Sequence, residues 1–114
     1  MFDRHERVNA LFAELAAEFI RHEANTDPLI TVTGTTTSKD YENATIYVTT
    51  IPDDREADAL IFLRRHGGAF RKFVKKHSNV KVVPRFSFEI DAGERHRQHV
   101  DEVVRKIEGW KDAA

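Results

Sequence analysis

His66-Gly67-Gly68-Ala69-Phe70-Arg71-Lys72-Phe73-Val74-Lys75-Lys76-His77 is the stretch on which the reading of the whole chain turns. Phe70, Phe73, Val74 and His77 recur at steps of three and four, the spacing of one helix face. Arg71, Lys72, Lys75 and Lys76 fall at i, i+1, i+4 and i+5, which turns them away from that apolar stripe as a basic ridge. A second helical pattern, through Ala57, Leu60 and Ile61 to Arg65, enters from upstream, and the glycine pair interrupts it. Glycine inside a helix costs roughly 0.5–1 kcal/mol relative to alanine, so Gly67-Gly68 marks a bend or a C-terminal cap between two helices. Two uses of that break are open. It can expose backbone N–H groups at the positive end of a helix dipole, where phosphate binds well among lysines and arginines. It can equally do no more than let two helices pack on one sheet.

Charge is segregated around this stretch. From Ala59 to Phe88 there is no acidic residue, while Arg64, Arg65, Arg71, Lys72, Lys75, Lys76, Lys81 and Arg85 contribute +8. With a net charge of −1, the rest of the chain carries −9. Such a footprint suits a polyanionic partner, and the near-neutral total argues against indiscriminate nucleic-acid binding.

Working outward, Asp3 with Glu6, Asp53 with Glu56 and Asp91 with Glu94 repeat one helix-start device, an Asp three residues before a Glu. The first predicted helix has an apolar stripe of Val8, Leu11, Phe12, Leu15 and Phe19 and ends near Asn25. LITVTGTTT and ATIYVTTI, joined by SKDYEN, read as a hairpin with Ala44, Ile46 and Val48 on one face and Thr45, Tyr47 and Thr49 on a wet one. Ser78-Asn79 closes the helix of the opening stretch. VKVVPRFSFEI then alternates as a third strand, with Val82, Pro84, Phe86, Phe88 and Ile90 on one face, and Pro84 points to a sheet edge. A last helix would carry Val100, Val103, Val104 and Ile107. The expected fold class is α+β, in the order α-β-β-α-α-β-α, with helices on one face of a three-stranded sheet.

A chain of 114 residues suits a single domain, here residues 1–114. The absence of cysteine excludes disulfides, thiolate metal sites and thiol catalysis, and points to the cytoplasm. No apolar run is long enough to span a membrane, and MFDRHERVNALF has charges where a signal peptide needs an apolar block, which argues against secretion.

The element order, with glycine and basic residues between paired helices, resembles the type II KH architecture, although the Gly-x-x-Gly loop of nucleic-acid-binding KH domains is missing. Within that architecture the chain resembles the ribosome-binding factor A family. DPLITVTGTTTSKDYENATIYVT matches the family's Asp-Pro, Ser-x-Asp and Ala-x-Val-Tyr-Val pattern through Asp27, Pro28, Ser38, Asp40, Ala44, Tyr47 and Val48. GGAFRKFV matches its Gly-x-x-Arg segment through Gly68 and Arg71, and VPRFSFEID its third strand through Pro84, Phe86, Phe88 and Asp91. The family's helix break is usually Ala-x-Gly; here it reads His66-Gly67-Gly68, and Phe86 stands where leucine is usual.

The resemblance implies a cytoplasmic, non-enzymatic assembly factor of the small (30S) ribosomal subunit. Such a factor contacts RNA near the decoding region and the 3′ end, supports late processing of 16S rRNA, and matters most at low temperature. The implied partners are the small subunit and its rRNA, with a ribosome-associated GTPase as a further candidate. No membrane, cofactor or metal is expected, and the protein is expected to be a monomer. The residues expected to touch RNA are Arg64, Arg65, His66, Gly67, Gly68, Arg71, Lys72, Lys75, Lys76, Lys81 and Arg85. His66 has a second reading, as an exposed histidine favoured by the helix-end dipole. Two rival functions stay open at this stage. One is a KH-like adaptor that binds a protein through its third strand or last helix. The other is a metal-assisted hydrolase at His96 and His99, for which no third ligand is suitably spaced. No nucleophile motif or P-loop is present.

Overall fold

A computed structural model describes residues 3–24 and 28–93. Helix α1 spans Arg4–Glu23 and starts as the sequence predicts, with the Asp3 carboxylate accepting from the Glu6 N–H at 2.8 Å. Its inward stripe is Phe12, Leu15, Ala16, Phe19 and Ile20. Strands β1 (Leu29–Thr37) and β2 (Asn43–Ile51) form the expected antiparallel hairpin, in register from Leu29 opposite Ile51 to Thr37 opposite Ala44. A bulge between Val32 and Gly34 leaves Thr33 as the extra residue. Its hydroxyl donates to the Asp91 carboxylate at 2.6 Å and lies 3.3 Å from the Tyr47 carbonyl.

The hairpin turn explains the Ser-x-Asp motif. Asp40 accepts from the Ser38 hydroxyl and the Glu42 N–H, and the Asn43 N–H donates to the Ser38 oxygen. These bonds hold the Asp40 carboxyl below its ordinary value of 3.8, the Ser38 hydroxyl contributing most. Tyr41 takes the left-handed φ of 63°, a cost of about 1–2 kcal/mol for a side chain of its size. Offsetting contacts come from α1: the His5 ring stacks on Tyr41 at 4.2 Å, and the Arg4 guanidinium lies 5.3 Å from the ring centre.

After a 3₁₀ turn at Asp53–Arg55 come α2 (Glu56–Arg65), α3 (Gly67–His77) and β3 (Arg85–Ile90). β3 pairs parallel to β2, giving the sheet order β1-β2-β3, so buried Pro84 does precede an edge strand. The crossover between the parallel strands is the helix pair α2–α3. Ala44, Ile46, Val48 and Phe88 face α1, Leu63 of α2, and Phe70 and Val74 of α3 in one core. Phe70 is its hub: it is fully buried and its ring lies 5.3 Å from Phe19, 4.7 Å from Phe86 and 6.0 Å from Phe88. Over the described residues this architecture is the α+β order read from the sequence, up to the third strand.

Several details differ from the sequence reading. The helix break consists of one residue, His66, at φ −96° and ψ 7°, and both glycines belong to the first turn of α3. α2 buries Ala59 and Leu63, whereas Ala57 and Ile61 are exposed. Residues 59, 63, 70 and 74 lie nearly in phase for a single helix, so the apolar stripe runs on across the one-residue break. α2 begins behind the 3₁₀ turn with Arg55 at its N-cap position, and the Asp53 side chain of the second Asp-x-x-Glu lies outside what the structure describes. Thr49 is buried, not wet. β3 starts at Arg85, and Val82 is 51% exposed, because the chain bends at residues 81 and 82 before the strand. The last helix, with Glu94, His96 and His99, lies outside the described residues.

Candidate nucleic-acid interface

α3 has two faces. Phe70 and Val74 are buried, with Phe73 half-buried against Phe19, while Arg71, Lys72, Lys75 and Lys76 are exposed, as their spacing predicts. The Ser78 hydroxyl donates to the Val74 carbonyl and ends the helix. The segment 79–84 then runs back beside α3 toward β3. Gly68, Arg71, Lys72 and Lys75, at i, i+3, i+4 and i+7, form one wall of an open cleft of about 500 Å³, and Lys81 and Val83 form the other. The Arg71 guanidinium donates to the Val83 carbonyl at 3.0 Å and thereby bridges the two walls.

Arg71 also borders a second lobe of about 430 Å³, lined by Glu42, Asn43, Val82, Val83 and Arg85. Arg85 reaches this lobe because its N–H donates to the Glu42 carbonyl at 2.8 Å and its Cα pairs with that of Asn43 across the sheet. The ion pair of Arg55 with Asp58 lies elsewhere, and the five cations of the cleft have no described carboxylate within 4.0 Å. Pairing with such carboxylates would have cancelled this potential; it is left available to an anion.

Not every expected residue belongs to this surface. Arg64 and Arg65 are exposed in the last turn of α2, where the helix dipole favours cations, and they line neither lobe. Lys76 is exposed but turned out of the cleft. The His66 ring is tied back onto α2, stacked on Phe62 at 4.2 Å with Nδ1 2.8 Å from the Phe62 carbonyl. Gly67 and Gly68 have ordinary negative φ, and a Cβ built on either would meet nothing within 4 Å. Neither backbone conformation nor packing within the described residues requires them to be glycine. Asn43, Glu42 and Val82 were not anticipated. Only the β2–β3 register brings the first two here, and sequence alternation had placed Val82 inward. Among the described residues no group of three His, Cys, Asp or Glu side chains could hold a metal, and no helix is long and apolar enough to cross a membrane.

Comparison with known proteins agrees with this fold. The chain is 30% identical over 115 residues to ribosome-binding factor A of Geobacter sulfurreducens, covering 97% of each chain. The crystal structure of ribosome-binding factor A from Thermus thermophilus superposes with a TM-score of 0.70 at 22% identity, over 77% of this chain and 97% of that one. A Thermus thermophilus ribosome-binding factor A fitted into a cryo-electron-microscopy map of a 30S complex gives 0.62 at 23% identity, over 71% and 88%. The family so matched consists of ribosome-binding factors, not enzymes. Since the model of ribosome-binding factor A matches residues 4–104, nearly all of the chain, the protein belongs to the ribosome-binding factor A family.

Proposed function

We propose that this single-domain protein binds the immature small ribosomal subunit in the cytoplasm, through rRNA phosphates held in the cleft between α3 and residues 81–85, and supports late maturation of 16S rRNA. The observation that carries this reading is the set of five cations, Arg71, Lys72, Lys75, Lys81 and Arg85, that converge on one two-lobed cleft with no carboxylate partner among the described residues. A relative fitted into a 30S complex supports the choice of partner. The protein acts as a monomer, its effect is greatest at low temperature, and a ribosome-associated GTPase is the second candidate partner.

Gly68 supports the same reading. It lies in the wall of the first lobe, and the absence of a side chain there lets an RNA backbone approach α3 closely. Binding by phosphate neutralisation is steeply salt-dependent. Sedimentation of tagged protein on sucrose gradients should therefore show comigration with free small subunits and precursor 16S rRNA that is lost as salt rises. Comigration with a protein partner away from ribosomes, surviving high salt, would refute the RNA reading in favour of an adaptor.

A further inference from the structure

The second lobe of the cleft differs chemically from the first. Glu42 lines it, an acidic residue at the edge of a surface that is otherwise cationic and a poor choice for a site that only holds phosphate. Beside it Asn43 is exposed, offering an amide donor and acceptor. Val82, half exposed where its sequence pattern called for burial, supplies an apolar wall. The frame under these side chains is fixed. The Glu42 N–H donates to Asp40, its carbonyl accepts from Arg85, and Asn43 sits in the β2–β3 register.

We infer that this lobe takes one unpaired nucleobase of the RNA whose phosphates lie in the first lobe, and that it favours guanine and rejects uracil. The inference rests on the reading of the cleft as an RNA site. A carboxylate only accepts hydrogen bonds, and guanine presents two adjacent N–H donors, N1–H and N2–H, on its Watson–Crick edge. Adenine and cytosine present one exocyclic amine each. Uracil's N3–H is flanked by two carbonyl oxygens that repel a carboxylate. Val82 and the guanidinium planes of Arg71 and Arg85 provide the faces on which a base can lie.

The test uses the full chain and short labelled single-stranded RNAs of uridine in which one central nucleotide is varied, read by fluorescence anisotropy at low salt. An RNA with central guanosine should bind about 5- to 150-fold tighter than all-uridine RNA, the discrimination of one good bidentate contact. Inosine, which lacks the N2 amine, should fall between them. Glu42→Gln should erase most of the preference with an unchanged unfolding midpoint, because its backbone bonds remain. Lys72→Gln with Lys75→Gln should weaken every RNA alike and leave the preference intact. Equal affinity for all RNAs, or a preference untouched by Glu42→Gln, would overturn the base site while leaving the phosphate cleft standing. Failure of every short RNA to bind would also overturn it; the phosphate reading would fall with it only if salt-sensitive sedimentation with small subunits were absent too.

Discussion

Neutralising the cleft cations should flatten the salt dependence of RNA binding by a calculable amount. For single-stranded RNA each neutralised phosphate contributes about −0.7 to the slope of log affinity against log salt. If Arg71, Lys72, Lys75, Lys81 and Arg85 each engage one phosphate, the slope is about −3.5, and affinity falls about 130-fold between about 50 and 200 mM salt. Lys72→Gln, Lys75→Gln and Lys81→Gln together leave two contacts and a slope of about −1.4, so the same salt step should cost only about 7-fold. A matched control removes equal charge outside the cleft: Arg64→Gln, Arg65→Gln and Lys76→Gln, all exposed and lining neither lobe. Its slope should stay near that of the unmodified protein. Anisotropy titrations at four or more salt concentrations, with a urea midpoint for each variant, supply the measurement. If the two triple variants lose the same amount of slope, binding responds to net charge alone, and the cleft is not where RNA is held.

Three other predictions concern folding and its link to binding. Phe70→Ala removes a fully buried ring in contact with three others and should destabilise the protein by about 3–5 kcal/mol in chemical denaturation; a loss under about 1 kcal/mol would show that Phe70 is not the hub of the core. Gly67→Ala and Gly68→Ala, at ordinary helical φ with open space for a Cβ, should each raise stability by about 0.4–1 kcal/mol. If RNA approaches α3 closely, Gly68→Ala should at the same time weaken binding, and a variant that is stabler and binds fully would refute that approach. The turn bonds of Asp40 lower its pKa in the folded state, so their contribution is fully present above the ordinary value of 3.8 and is lost as pH falls through the lower folded value. Asp40→Asn should remove this acid dependence, measured as urea midpoints from neutral pH downward.

Much of the architecture was legible because local chemistry and tertiary packing agree. Asp3 caps α1 as its spacing with Glu6 suggests, and the alternation of Ala44, Ile46 and Val48 is the buried face of β2. Misreadings arose where tertiary packing decided between local alternatives. Two stripes were available on α2, and packing against β3 selected Ala59 and Leu63 over Ala57 and Ile61. The glycine pair looked like the break itself, because glycine is rare inside helices. The break residue is His66, whose ring nitrogen lies within hydrogen-bond reach of the Phe62 carbonyl and so helps to end α2 locally. Val82 continued a clean alternation, but the chain enters the sheet only at Arg85.

The basic block illustrates how topology turns a one-dimensional charge run into a surface. Eight cations lie in one acid-free stretch, yet only five converge, because β3 returns parallel to β2 and must carry the chain back along α3. That return brings Lys81 into the same cleft as Lys75 and sets Arg85 beside Asn43, while the α2 arginines line neither lobe. The same crossover needs its two helices to share one apolar stripe, a demand met by a single non-helical residue. Two glycines then remain that the fold does not use: they have no positive φ and no neighbour that a methyl group would strike. Gly67 and Gly68 lower helix stability, and in the described structure nothing returns that cost. Gly68, however, shares a cleft wall with Arg71, Lys72 and Lys75, and under the proposed function its missing side chain serves a ligand backbone and not the protein's own packing.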